Sequence, residues 1–196
     1  MEQYLSKLNE LSRKNHIPVI KDDGCDFLID FCKKNQPKNI LEIGTAVGYS
    51  GSFMLIASPN AKLTTIENNQ ARYNQATETF AEMNLSKRVK QILGDAGEEI
   101  QILKQKYDLI FLDGPKGQYL RYLPYLLDLL AQNGTLIADN VLYRGLIRSD
   151  EYVGHKHRSM INNLRAFLKE IENNPNLQTI VYDIGDGIAV IKKQNN

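Results

Sequence analysis

Apolar runs of strand length alternate along this chain with amphipathic stretches of helical period. NILEIG (39–44), KLTTIE (62–67), RVKQIL (88–93), YDLIFLD (107–113) and GTLIAD (134–139) read as strands, since each is short, apolar and bounded by turn residues. Between them, YSGSFMLIA, QARYNQATETFAEMN, AGEEIQILKQK and YLRYLPYLLDLLAQ carry apolar residues at helical spacing. Such β-α alternation with short connections predicts a parallel sheet covered on both faces. The rhythm breaks at the end. After the helical HRSMINNLRAFLKEIENN come LQTIVYDI and GIAVIKK, separated only by the GDG turn at 185–187. So short a link demands an antiparallel hairpin. Residues 2–15 and 22–35 read as two helices ahead of the first strand. With no repeat, low-complexity segment or dividing linker, a single domain over 1–196 is expected, its first part (1–36) being an N-terminal helical segment. The longest irregular stretch runs from about Leu142 to His157, and long loops in compact domains tend to carry function.

Composition narrows the classes. A 42% hydrophobic and 24% charged chain is an ordinary globular one. The formal net charge of +1 excludes a strongly basic nucleic-acid binder but leaves room for a local basic patch. MEQYLSKLNELSRKNH lacks a signal-peptide core, and no later run reaches the roughly 18 apolar residues of a membrane span. The cytoplasm is therefore the expected location, with no membrane partner. Cys25 and Cys32 lie seven apart in a helical segment, too far for a disulfide across helical turns and without histidine partners for a metal. They read as inert core thiols.

In open α/β sheets, ligands bind beyond the carboxyl ends of the strands. LEIGTAVGYSG (41–51) stands there after the first strand. Gly44 and Gly48 let backbone approach a ligand closely, and Ser50 sits at a helix N-terminus suited to a carboxylate. Glu67 ends the second strand, where an acid binds ribose hydroxyls in dinucleotide folds. The spacing is G-x-x-x-G-x-x-G rather than G-x-G-x-x-G, which weakens a nicotinamide or flavin reading. No G-x-x-x-x-G-K-[ST] is present either, so nucleoside triphosphate chemistry is not expected.

LEIGTAVGYSG, TTIENN, GDA (94–96), DLIFLDGPKGQY and ADNVLYRG, in that order, resemble the metal-dependent O-methyltransferases that use S-adenosylmethionine, a family including catechol and caffeoyl-CoA enzymes. The resemblance runs from about Ile17 to Lys193. It implies a Rossmann-like, doubly wound α/β sheet of seven strands in the order 3-2-1-4-5-7-6, strand seven antiparallel, with N-terminal helices. It also implies a cofactor site of Gly44 and Gly48 under the methionine part, Ser50 on its carboxylate, Glu67 on the ribose, and Asp95 with Ala96 on the adenine side. Glu42 and Asp113 join that set, as does Ile20 of the lid segment IPVIKDDG (17–24). Residues 1–16 precede that lid where bacterial relatives usually carry a longer helical stretch, a region that contributes to the homodimer contacts the resemblance implies.

Asp113 ends the fourth strand and Asp139-Asn140 the fifth. Three oxygen donors from neighbouring strand ends suit a hard cation, Mg²⁺ or another divalent ion, and the absence of histidine and thiolate argues against zinc. The plainer alternative is a helix cap at Asp113 and a polar turn at Asp139-Asn140. Lys116 resembles the family's catalytic lysine; beside a dication its ammonium form is disfavoured, so it can accept a proton. The implied acceptor is a hydroxyl with a vicinal oxygen. LDGPKGQY, DNVLYRG and GDGIAVIKK look closest to the bacterial branch methylating 5-hydroxyuridine at the tRNA wobble position. Arg144, Arg148, His155, Lys156, His157 and Arg158, against Asp150 and Glu151, would rim that pocket with positive charge, and Tyr119, Tyr122 and Tyr143 are candidates to stack on a splayed base. A small-molecule catechol or phenol is the alternative acceptor, and a non-catalytic S-adenosylmethionine- or RNA-binding protein the third possibility.

Overall fold

The computed structural model describes residues 2–143, 145–148 and 154–194; the side chains of Glu2, His155 and Lys156 also lie outside that description. Its seven strands are ordered 3-2-1-4-5-7-6, as expected. The chain comprises two compact units, residues 1–96 and 97–196, taken in turn below.

The first unit opens with α1 (Glu2–Lys14) and α2 (Asp22–Asn35), followed by β1 (Asn39–Ile43), α3 (Tyr49–Ala57), β2 (Lys62–Glu67), α4 (Gln70–Glu82) and β3 (Val89–Leu93). The strands pair in parallel, Ile43 opposite Ile66 and Glu67 opposite Leu93. β1 and β2 are buried almost throughout, as strands covered on both faces must be. α3 is apolar nearly all round and has little outer face. Its last carbonyls are closed by Arg88, whose guanidinium donates to Leu55 O (3.0 Å), Ser58 O (3.1 Å) and Pro59 O (2.8 Å). Cys25 and Cys32 are buried and unpaired, and burial pushes both thiols up to about 12. That state is unreactive.

The second unit holds α5 (Ala96–Ile102, beginning at the boundary), β4 (Tyr107–Leu112), a 3-10 turn (Lys116–Gln118), α6 (Tyr119–Leu129), β5 (Leu130–Ala138), α7 (His155–Asn173), β6 (Leu177–Tyr182) and β7 (Ile188–Lys193). β4 and β5 are parallel, and β5, β7 and β6 are antiparallel. One boundary differs from expectation. The apolar run after Tyr119 reads as helix to Gln132, yet α6 stops at Leu129 and Leu130 turns extended (φ −71°, ψ 131°) to open β5 opposite Tyr107. A continuous apolar run does not itself say whether it continues as helix or strand; pairing with Tyr107 decides it. Among the described residues, no helix is long and apolar enough to cross a membrane.

The β6–β7 turn supports the segment after β5. Val141 N–H donates to Gly187 O (3.0 Å), and Leu142 and Tyr143 N–H donate to Asp186 O (2.9 and 3.1 Å). Gly187 has φ +89°, and a Cβ there would lie 2.4 Å from Leu142 Cγ and 2.8 Å from Leu142 N. Only glycine meets both demands. Gly187→Ala should therefore cost about 2–4 kcal/mol in urea unfolding. Gly154→Ala, where an added Cβ would meet no non-neighbouring atom within 4 Å among the described residues, should change stability by less than about 0.5 kcal/mol.

Candidate active site

The glycine loop of the first unit joins β1 to α3 and contains three residues at positive φ: Gly44 (98°), Ala46 (45°) and Gly48 (80°). Ala46 is the strained one, and its N–H is held by Glu67 Oε2 at 2.9 Å. The other Glu67 oxygen accepts from Asn69 N–H, also at 2.9 Å, while the Asn69 side chain accepts from Arg72 N–H and caps α4. Glu67 thus holds the loop from the end of β2 and is itself buried.

Beneath the loop, Glu42 has no exposed surface. Ser50 Oγ–H donates to its Oε1 (2.5 Å) and Thr65 Oγ1–H to its Oε2 (2.6 Å). Thr45 Oγ1 stands 2.5 Å from Thr65 Oγ1; with the Thr65 proton directed at Glu42, Thr45 is the donor there. Burial pushes the Glu42 carboxyl up to about 7, opposed by the Ser50, Thr65 and Gly51 donors and reinforced by Glu67. Ser50 is thus tied to Glu42 at the head of α3. Ile20 is buried in the α1–α2 connection, Asp95 is exposed at the entry to α5, and Ala96 is that helix's first residue.

In the second unit, β4 and β5 run in register to Leu112 and Ala138, so Asp113 and Asp139 emerge from neighbouring strand ends. Asp139 N–H donates to Leu112 O (3.0 Å). The buried Tyr119 hydroxyl lies 3.2 Å from both Leu112 O and Asp139 O, tying the two ends together. Asp139 is buried, its Oδ1 accepting from Asn140 N–H (2.6 Å) with Asn140 at φ +57°. Burial, then the nearby Asp113 carboxylate, push the Asp139 carboxyl up to about 7; Asn140 N–H and Lys116 oppose this, and Asp186 adds to it. Lys116 Nζ stands 3.7 Å from Asp113 Oδ1, both side chains about one-fifth exposed. Two neighbouring carboxylates, one of them buried with its proton affinity raised by the other, form a place that a cation would relieve. Among the described residues no group of three or more His, Cys, Asp or Glu side chains suits a metal; the third oxygen donor would be an amide.

The surroundings differ from expectation in two respects. Tyr119 and Tyr122 are fully buried and cannot stack on a base; Tyr119 packs edge-on to Phe167 at 5.5 Å. Arg148 is paired with Glu172 at 2.9 Å, which removes it from an open basic rim. Arg144, Asp150, Glu151 and the side chains of His155 and Lys156 lie outside the described residues. Sequence reading missed Thr45, Thr65 and Asn69, because a hydroxyl or amide signals a role only once its partner is known.

A family model described as O-methyltransferase matches residues 1–194. Tapetum-specific methyltransferase 1 of Arabidopsis thaliana is 30% identical over 90% of this chain and 77% of its own. Catechol O-methyltransferase of Bos taurus is 33% identical over 76% of this chain and 58% of its own. A solved Staphylococcus aureus chain superposes with a TM-score of 0.90 at 30% identity, covering 97% of this chain and 92% of that one. The S-adenosylhomocysteine-bound Podospora anserina methyltransferase PaMTH1 does so with a TM-score of 0.88 at 26% identity, covering 97% and 88%.

The raised carboxyls give a signed stability prediction. In the ligand-free fold Glu42 and Asp139 hold protons up to about 7, whereas their ordinary values are 4.5 and 3.8. Between those values the folded chain binds more protons than the unfolded one, so this stability is full at acid pH and lost as pH rises through 7. With chelator present, the free energy of urea unfolding should fall between about pH 4 and pH 7 by on the order of a few kcal/mol in total. Glu42→Gln should flatten part of that slope; an unfolding free energy that stays constant across the window would mean both acids stay ionised.

Proposed function

We propose a divalent-cation-dependent methyl transfer to a hydroxyl with a vicinal oxygen as the reaction of this chain, which belongs to the O-methyltransferase family and takes its methyl group from S-adenosylmethionine. The observation that carries the reading is the convergence of Asp113, Lys116, Asp139 and Asn140 at the ends of β4 and β5. Asp113, Asp139 and Asn140 would hold Mg²⁺ or a similar hard ion, which supplies a Lewis acid that lowers the acceptor's pKa. Lys116 Nζ, kept beside Asp113, takes the hydroxyl proton. The cofactor supplies an electrophilic methyl on its sulfonium. Gly44, Gly48, Ser50, Glu67, Asp95, Ala96 and Ile20 would hold it, with Glu42 acting from behind Ser50. The whole chain, 1–196, would work as one methyltransferase domain, and as a homodimer, with exposed Ile180 and Tyr182 of β6 offering apolar surface to a second copy.

Two acceptors carry vicinal oxygens. A catechol or phenol is supported by relatives named for catechol and caffeoyl-CoA. The second is 5-hydroxyuridine at the tRNA wobble position. In its favour, the first turns of α7 present exposed His157 and Arg158 and pack against the turn bearing Lys116, with Met160 3.8 Å from the place of a Gly117 Cβ. A single-stranded anticodon base can be turned outward without opening a duplex.

Chelator should abolish turnover and Mg²⁺ restore it, while Asp139→Ala should lose activity yet still bind cofactor; full activity of Asp139→Ala in chelator would sink the cation assignment. Lys116→Ala should lower kcat by on the order of 10²–10⁴ with cofactor affinity unchanged; an unaltered kcat would show that Lys116 is not the base.

The acceptor is decided by offering labelled S-adenosylmethionine with hypomodified tRNA beside a panel of diols. A tRNA enzyme should weaken steeply with salt and show a raised KM when His157 and Arg158 are replaced. Efficient methylation of diols, with none of tRNA and no salt dependence, would establish the catechol reading.

A further inference from the structure

Residues 141–143 and 145–148 follow the candidate cation ligands Asp139 and Asn140, and the backbone there takes an uncommon path. Asn140 (φ 57°), Tyr143 (φ 36°) and Gly145 (φ 76°) all lie in the left-handed region. Asparagine and glycine tolerate that region; tyrosine does so far less readily. Backbone in this state persists only where its surroundings hold it. Two holds act here, one at each end. At the start, the N–H groups of Val141, Leu142 and Tyr143 donate to the Gly187 and Asp186 carbonyls of the β6–β7 turn. At the far end, Arg165 of α7 donates from Nε to Ile147 O (3.2 Å) and from Nη2 to Leu146 O (3.0 Å). Between them, Leu146 N–H donates to Tyr143 O (3.1 Å) and Ile147 N–H to Leu142 O (3.4 Å). The residues that Arg165 grips are therefore the ones that close back on Leu142 and Tyr143.

We propose that Arg165 is a positioning residue for the reaction: by gripping the Leu146 and Ile147 carbonyls it holds Asn140 to Tyr143 in their left-handed path and so keeps Asn140 beside Asp139 at the cation site. The inference rests on the reading above that Asp139 and Asn140 hold the cation. A guanidinium suits the task, because one planar fork meets two consecutive carbonyls and keeps its charge when half-buried, as Arg165 is. The Arg148–Glu172 pair joins the same segment to α7, but both side chains are exposed and the pair adds little. α7 also meets the other half of the site. Met160 Cα lies 3.8 Å from the place of a Gly117 Cβ, in the turn that begins at Lys116. One helix thus braces both the turn bearing Lys116 and the segment that leaves Asn140. Without the fork the far hold is lost, Tyr143 relaxes toward negative φ, and Asn140 shifts with it.

The probe is Mn²⁺, titrated into the intact protein without acceptor and followed by electron paramagnetic resonance. Amide hydrogen exchange is read alongside at Leu142, Tyr143, Leu146 and Ile147. In Arg165→Ala, exchange at these amides should quicken by about tenfold, and Mn²⁺ affinity should fall by about tenfold. Affinity for S-adenosylhomocysteine should stay within about twofold, because the glycine loop belongs to the first unit. Arg165→Lys should recover only part of both losses, since an ammonium is a point donor and not a fork; it decides the matter should Arg165→Ala fail to fold. Arg88→Ala opens a similar carbonyl clamp at the end of α3, and should lower stability yet leave Mn²⁺ affinity unchanged. Quickened exchange in Arg165→Ala with unaltered Mn²⁺ affinity would make Arg165 a purely structural clamp and overturn the proposal. An equal loss of Mn²⁺ affinity in Arg88→Ala would overturn it too, by tracing the effect to stability alone. An unaltered chain that fails to bind Mn²⁺ would remove the cation reading itself, and the proposal with it.

Discussion

A carboxylate taken out of water must be surrounded by donors or give up its charge, and much of this fold is arranged around that constraint. Glu42 occupies a strand position otherwise lined by Ile40, Leu41 and Ile43, all buried. It is tolerated there because hydroxyls from β2 and α3 reach it. Satisfying Glu42 brings the head of α3 against β1 and sets where the glycine loop ends. Glu67 applies the same rule one strand over. Its two oxygens take the N–H groups of Ala46 and Asn69, so a residue at an unfavourable φ and the entry to α4 are both held from one side chain. The glycine loop is thus held by acids behind it.

The second unit uses the constraint differently. Asp139 is buried beside Asp113 with fewer donors, and the result is a carboxyl that holds its proton to about 7. Unlike Glu42, this pair has a neighbouring cation, Lys116, at a distance too long for a tight hydrogen bond. Such an arrangement is poised for an additional positive charge. Its geometry is set by uncharged groups: the Tyr119 hydroxyl between the two strand ends, and the hairpin turn whose Asp186 and Gly187 carbonyls hold residues 141–143.

Much of this was legible in the sequence. Alternating apolar runs and helical periods determined the parallel strands, since period and length are local properties of a chain. The GDG turn required the antiparallel hairpin because no crossover fits three residues. Placing Asp113 and Asp139-Asn140 at the ends of consecutive strands was enough to suggest a cation site, and the order of motifs was enough to suggest the family. Tertiary structure decided the rest. Ser50 and Thr65 meet Glu42 across 8 and 23 residues of sequence, and no local pattern says where a hydroxyl will send its proton. Tyr119 and Tyr122 read alike as packing or stacking residues until burial made them packing. Arg148 read as open charge until Glu172 was found beside it. The start of β5 at Leu130 was settled by its partner Tyr107. Backbone pattern is written locally; the direction of each hydrogen bond and the pairing of each charge depend on residues that only the folded chain brings together.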